Sequence, residues 1–147
     1  MKLSDLGERK VVDILTKKYG KDKGKNVIVG IGDDACVLDL NEKEHLVIST
    51  DIVFEKTHIP REMTPRQVGK YVVNINLSDI ASMGAQPLGL LFSLGLPRDL
   101  DDDFIHELSE GINDAAREHE VPILGGDTKE HGEMVISGTA LGRVSKD

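Results

Sequence analysis

The chain has 147 residues, a formal net charge of −8, 39% hydrophobic and 3% aromatic residues, no Trp and a single Cys. That length supports one folded domain with a real core, and five prolines without a biased tract argue against a disordered chain. The negative charge and the scarcity of aromatics exclude the basic patches and stacking platforms of nucleic-acid readers and turn attention to cations.

No apolar run is long enough to cross a bilayer, and Met1–Asp5 lacks the apolar core of a secretory signal. Cys36 alone cannot form an internal disulfide, which fits a reducing cytoplasm. From Leu3 to Tyr19, Leu3, Leu6, Val11, Ile14 and Leu15 predict a modest amphipathic helix, with Ser4 as cap and Gly20 as stop. Lys21–Asn26 reads as a basic, solvated connector. Val27–Val29 is a short strand running into Gly30-Ile31-Gly32-Asp33-Asp34-Ala35. A strand resumes over Ala35–Leu40, and Asn41–Glu44 turns the chain. His45–Thr50 is the next strand, ending at Asp51, and Ile52–Arg61 is a strand tail and loop carrying His58.

Thr64 caps a central helix with Pro65 in its first turn, and Gly84 ends it. Val68, Tyr71, Val72, Ile75 and Met83 share one face, and the spacing puts Asp79 in the middle of that apolar stripe. Leu88–Leu96 is a buried strand stopped by Pro97. Asp99 and Asp101–Asp103 open a second helix reaching about His119, with acids suited to a first turn. Val121–Leu124 is a third buried strand running into Gly125-Gly126-Asp127-Thr128, and Met134–Val144 is the last strand. The order is roughly αβββαβαββ.

Three apolar strands thus finish in acidic ends: Gly32-Asp33-Asp34, Ser49-Thr50-Asp51 and Gly126-Asp127-Thr128. Ligands sit at such strand ends in helix-covered sheets. With Asp79 added, four distant segments offer carboxylates to one crevice. Packed carboxylates repel unless divalent cations lie between them, and all-oxygen ligands suit Mg²⁺ rather than Zn²⁺. Taken singly, each has a plainer reading: Asp33 or Asp34 shapes a turn, Asp51 caps, and Gly125-Gly126 is a tight turn. For Asp79 the plainer reading is an ion pair to Arg66 or Lys70. His106, His119 and His131 read as surface residues, Cys36 as a small core residue. The chain carries no P-loop.

Together the four segments resemble the thiamine-monophosphate kinases, in the superfamily named for aminoimidazole ribonucleotide synthetase. The resemblance runs from about Gly30 to Gly142. It implies an α/β (α+β) fold, a mixed sheet with helices on one face, paired through the sheet in a homodimer. The implied reaction is ATP-dependent phosphorylation of thiamine phosphate to thiamine diphosphate by direct in-line transfer. By motif match Asp34, Ser49, Thr50, Asp51, Asp79 and Asp127 are Mg²⁺ ligands, Gly126 and Asp127 lie against ATP phosphates, and His58 lies near thiamine phosphate. Residues 52–60 depart from the commoner family pattern around that histidine. Such chemistry needs charge neutralisation and alignment, so no general base is assigned. Since the family's proteins continue past Asp147, residues 1–147 are expected to be the ATP- and Mg²⁺-binding N-terminal domain without its C-terminal domain. Another ATP-dependent enzyme of the same superfamily, or a non-catalytic dimerisation or regulatory module, are the alternatives.

Overall fold

The computed structural model describes residues 2–19 and 24–147, so the expected Gly20 stop and residues 21–23 of the basic connector lie outside the described residues. The elements are α1 (Leu3–Leu6), α2 (Glu8–Tyr19), β1 (Val27–Val29), β2 (Cys36–Asp39), β3 (Glu44–Phe54), α3 (Glu55–His58), α4 (Pro65–Ser82), β4 (Gln86–Leu96), α5 (Asp102–Glu118), β5 (Ile123–Glu130) and β6 (Val135–Ser145). The expected first helix is broken at Gly7, whose φ of +77° lies in the left-handed region.

One six-stranded sheet has the order β1-β2-β3-β6-β4-β5. Of the described strand pairs, only β4–β5 is parallel; the sheet is mixed, as expected. Its centre is the antiparallel pair β3–β6, in register from Glu44↔Ser145 to Phe54↔Val135. That pairing carries β3 straight through Asp51 instead of stopping there.

The central helix forms as its ends predict. Thr64 and Gln67 make a reciprocal capping box, with Pro65 in the first turn. At the other end Gly84 takes φ +67° and donates its N–H to Ala81. Helix α4 lies across β3, β6 and β4, and α5 packs on α4. Val47, Val53, Leu90, Phe92, Ile136 and Ala140 of the sheet meet Val68, Val72, Val73, Leu77 and Ile80 of α4 in one core. The helices touch at glycines: a Cβ on Gly111 would lie 2.0 Å from the Arg66 carbonyl oxygen, and one on Gly69 would lie 2.3 Å from that of Leu108. Arg66 adds a two-pronged hydrogen bond to Asp114 at 2.8 and 3.0 Å.

The buried stripe of α4 differs from the expected one. Val68, Val72, Asn76 and Ile80 form its centre, while Tyr71, Ile75 and Met83 are only partly buried. Asn76 therefore occupies the middle and Asp79 the margin. The strand expected over Val121–Leu124 is also displaced. It runs from Ile123 to Glu130, lies at the sheet edge and is exposed throughout. Its glycines and Asp127 are inside the strand, because pairing with Leu90–Leu96 of β4 recruits them.

Candidate metal site

Alternation along β3 decides which side chains face α4. Val47, Ser49, Asp51 and Val53 point towards it, and Ile48, Thr50 and Ile52 point to the open face of the sheet. Asp51 on β3 and Asp79 on α4 come together between sheet and helix. Ser49, buried, donates its hydroxyl to Asp79 Oδ2 at 3.0 Å. Burial first, then the hydrogen bond and charge of Asp79, raise the Asp51 carboxyl from 3.8 to about 6.

The Gly-Asp-Asp turn reaches the C-terminal end of α4. Asp33 accepts the backbone N–H of Asp34 at 2.8 Å, so it shapes the turn, and Asp34 itself is exposed. Asp34 Oδ2 accepts from Ser82 Oγ at 3.1 Å, and that hydroxyl also reaches the Asp79 carbonyl at 2.7 Å. Ser82 thus ties the loop to the end of α4. Its signal in the sequence was its position three residues after Asp79, where a helix brings the two together.

Among the described residues none of Asp34, Asp51 and Asp79 makes an ion pair. The plainer reading of Asp79 fails here, since Arg66 pairs with Asp114 and Glu107 and Lys70 with Glu118. Nor, among the described residues, do three or more His, Cys, Asp or Glu side chains close into a metal cage. The two facts fit together for a hard cation: Mg²⁺ is held by one or two carboxylates and completes its octahedron with water and phosphate oxygens.

Thr50 and Asp127 stand apart from this group. Thr50 is on the open face, its hydroxyl donated to the Gly138 carbonyl at 2.9 Å. Asp127 pairs in register with Ser93, which pairs with Ser137, so by alternation it too faces the open side. β6 and β4 lie between β3 and β5, a separation of about 14 Å at ordinary strand spacing. The six expected ligands therefore fall into two groups on opposite faces of one sheet. Asp127 Oδ1 accepts from Lys129 Nζ and from the Thr128 N–H, both at 2.9 Å, and the ammonium first, then that N–H, hold its carboxyl below the usual range.

Gly126 lies so close to β4 that a Cβ would sit 1.8 Å from the Phe92 carbonyl oxygen. His58 is on the single turn α3. Its Nδ1 accepts the Phe54 N–H at 3.1 Å, so its proton belongs on Nε2, and its ring lies 5.9 Å from that of Phe54. Phe54 in turn lines an open-face cavity of about 320 Å³ with Ser93, Asp127, Lys129, His131 and Ser137.

Other expectations hold: Asp99 and Asp101–Asp103 are exposed, as are His106, His119 and His131. Cys36, expected in the core, is instead only half-buried, because strand alternation gives the core to its neighbours Ala35 and Val37; it is unpaired. No helix among the described residues is long and apolar enough to cross a membrane.

A family model described as AIR synthase related protein, N-terminal domain, matches residues 32–144. The protein named thiamine-monophosphate kinase of Methanocaldococcus jannaschii is 39% identical over 138 residues, covering 93% of this chain and 43% of that protein. The protein of the same name from Pyrococcus horikoshii is 42% identical over 116 residues, covering 79% of this chain and 37% of its own length. A solved structure described as AaThiL complexed with AMPPCP and TMP superposes with a TM-score of 0.87 at 28% identity, covering 98% of this chain and 44% of that one. A HypE–HypF complex, at 22% identity and a TM-score of 0.70 over 91% of this chain and 42% of that one, shares the fold. The chain spans less than half the length of these curated relatives.

Proposed function

Because this chain belongs to the AIR synthase related family through its N-terminal domain, we propose that residues 1–147 are the metal- and ATP-phosphate-binding domain of a kinase that converts thiamine phosphate to thiamine diphosphate. The observation that carries this reading is the Asp51–Asp79 pair, two facing carboxylates without a basic partner among the described residues. Such a pair is suited to a divalent cation. The names of the relatives supply the acceptor and the donor: two are called thiamine-monophosphate kinase, and the solved neighbour holds AMPPCP and TMP.

The helix-face donors Asp34, Ser49, Asp51 and Asp79 suit one Mg²⁺; Thr50 and Asp127, on the opposite face and three strand spacings apart, cannot share that ion, and of the two only Asp127 is assigned a cation, a separate one beside the ATP phosphates. When bound, the ion neutralises the charge between these acids and phosphate oxygens, which is most of what in-line phosphoryl transfer asks of a protein. The chain's own residues do the rest. Ser49 fixes Asp79 through its hydroxyl, and Ser82 fixes Asp34. Gly126 lets β5 lie tightly against the Phe92 backbone of β4, which holds Asp127 in place on the open face. His58 presents Nε2–H as a donor for the phosphate of the acceptor, its other nitrogen already used. The part of the open face away from the cavity, where Ile48 lies opposite Leu141, is the surface we assign to a second copy of the chain.

Calorimetric titration with Mg²⁺ and ATP tests the reading. Asp79→Asn should weaken binding about tenfold or more, as loss of one carboxylate from a cation with few protein ligands requires. Unchanged binding in that variant would overturn the assignment.

A further inference from the structure

We propose that Lys129 is a phosphate-binding residue held in reserve by Asp127: its ammonium neutralises the carboxylate until a divalent cation takes that oxygen, and then turns to a phosphate lying over Ser93 and Ser137. The inference rests on the reading of Asp127 as a metal ligand and adds a residue to it. Lys129 Nζ stands 2.9 Å from Asp127 Oδ1, and the two side chains are 76% and 62% exposed. An ion pair so open to water is weak and exchangeable. A hard divalent cation competes with an ammonium for a carboxylate oxygen, and the displaced ammonium must find another anion or return to water.

The surroundings offer that anion a place. Asp127 and Lys129 are two apart on β5 and share the open face. Opposite them in register are Ser93 and Gly95 on β4, and Ser93 pairs with Ser137 on β6. Gly95 leaves room for His131, whose Cβ would lie 3.1 Å from a Cβ built there. The cavity floor therefore has two hydroxyls, with a lysine and a histidine at its wall, in a chain whose net charge is −8. Glu130, also on its rim, is drawn to Arg98 at 3.7 Å. With Asp127 taken up by a cation and Glu130 by Arg98, two hydroxyls and an ammonium remain around the floor as donors for a phosphate group.

The test follows the Thr128 amide signal by NMR in the 147-residue chain, since that N–H donates to Asp127 Oδ1. The wild type, Lys129→Gln and Lys129→Arg are titrated with Mg²⁺ alone, then with tripolyphosphate at saturating Mg²⁺. Removing the competing ammonium should tighten Mg²⁺ binding by roughly two- to fivefold in Lys129→Gln and weaken tripolyphosphate about tenfold, with Lys129→Arg close to wild type. Equal affinities in wild type and Lys129→Gln overturn the inference, as does a parallel loss of both ligands. Asp127→Asn separates the two layers. If it abolishes the Mg²⁺ response while Lys129→Gln changes nothing, only the lysine is misassigned; if it leaves the response intact, the metal reading of Asp127 falls and takes this one with it.

Discussion

Asp51→Asn should stabilise the metal-free protein at neutral pH and leave it unchanged in acid. Burial and the facing Asp79 lift the Asp51 carboxyl from 3.8 to about 6 in the folded chain. In the unfolded chain it titrates near its ordinary value. Between those two pH values the folded state keeps a proton that the unfolded state has lost. Stability therefore falls as pH rises from about 4 to about 6 and stays lower above that range. The step from 3.8 to about 6 corresponds to at most about 3 kcal/mol. Asp51 is only half-buried, and solvent screens both contributions, so about 1 kcal/mol is expected. Asn keeps the shape and a hydrogen bond to Asp79 while removing the charge. Thermal denaturation in EDTA at pH 7.5 should then show Asp51→Asn melting about 2–4 °C above wild type, with the two coinciding below pH 4. Saturating Mg²⁺ should reverse the order, because only the wild type retains the full ligand pair. Equal melting at both pH values, or a variant that is weaker at pH 7.5 without metal, refutes the reasoning.

Three further predictions concern the scaffold. Gly111→Ala places a methyl group 2.0 Å from the Arg66 carbonyl, so α4 and α5 must part; overpacking against backbone should cost about 2 kcal/mol net of the helix preference for Ala, whereas Gly132→Ala, with nothing within 4 Å, should leave the urea midpoint unmoved. Gly126→Ala drives a Cβ into the Phe92 carbonyl and should release β5 from β4, read as faster amide exchange over residues 123–130 while β3 and β6 stay protected. Thr64→Ala removes the capping box and should lower stability by about 1 kcal/mol in the same urea assay.

How far the residues alone carried the description depends on the range of the forces involved. The central helix was legible because its signals are local: Thr64, Pro65 and Gly84 act within a turn of their own positions, and the structure adds Gln67 to them. Alternation and β-branching marked most strands, and the helix at Asp101 announced itself in its acids. The run Val121–Leu124 misled, because an edge strand draws its boundaries from its neighbour: β4 pairs with residues 123–130 whatever their own apolar content. Helix periodicity likewise placed Asp79 in the middle of the stripe, while contact with Gly138 gave that position to Asn76.

The residue types of the site were thus fixed in one dimension. Asp33-Asp34, Ser49-Thr50-Asp51, Asp79 and Gly126-Asp127 are a set of hard oxygen donors, and nothing about folding is needed to see it. Which of them meet was decided only by the sheet. A strand turns successive side chains to opposite faces, so Ser49 and Asp51 join Asp79 beneath the helix while Thr50 looks the other way. Two intervening strands then keep Thr50 from Asp127. Pairing partners far apart in the chain set these faces, and no local pattern records them.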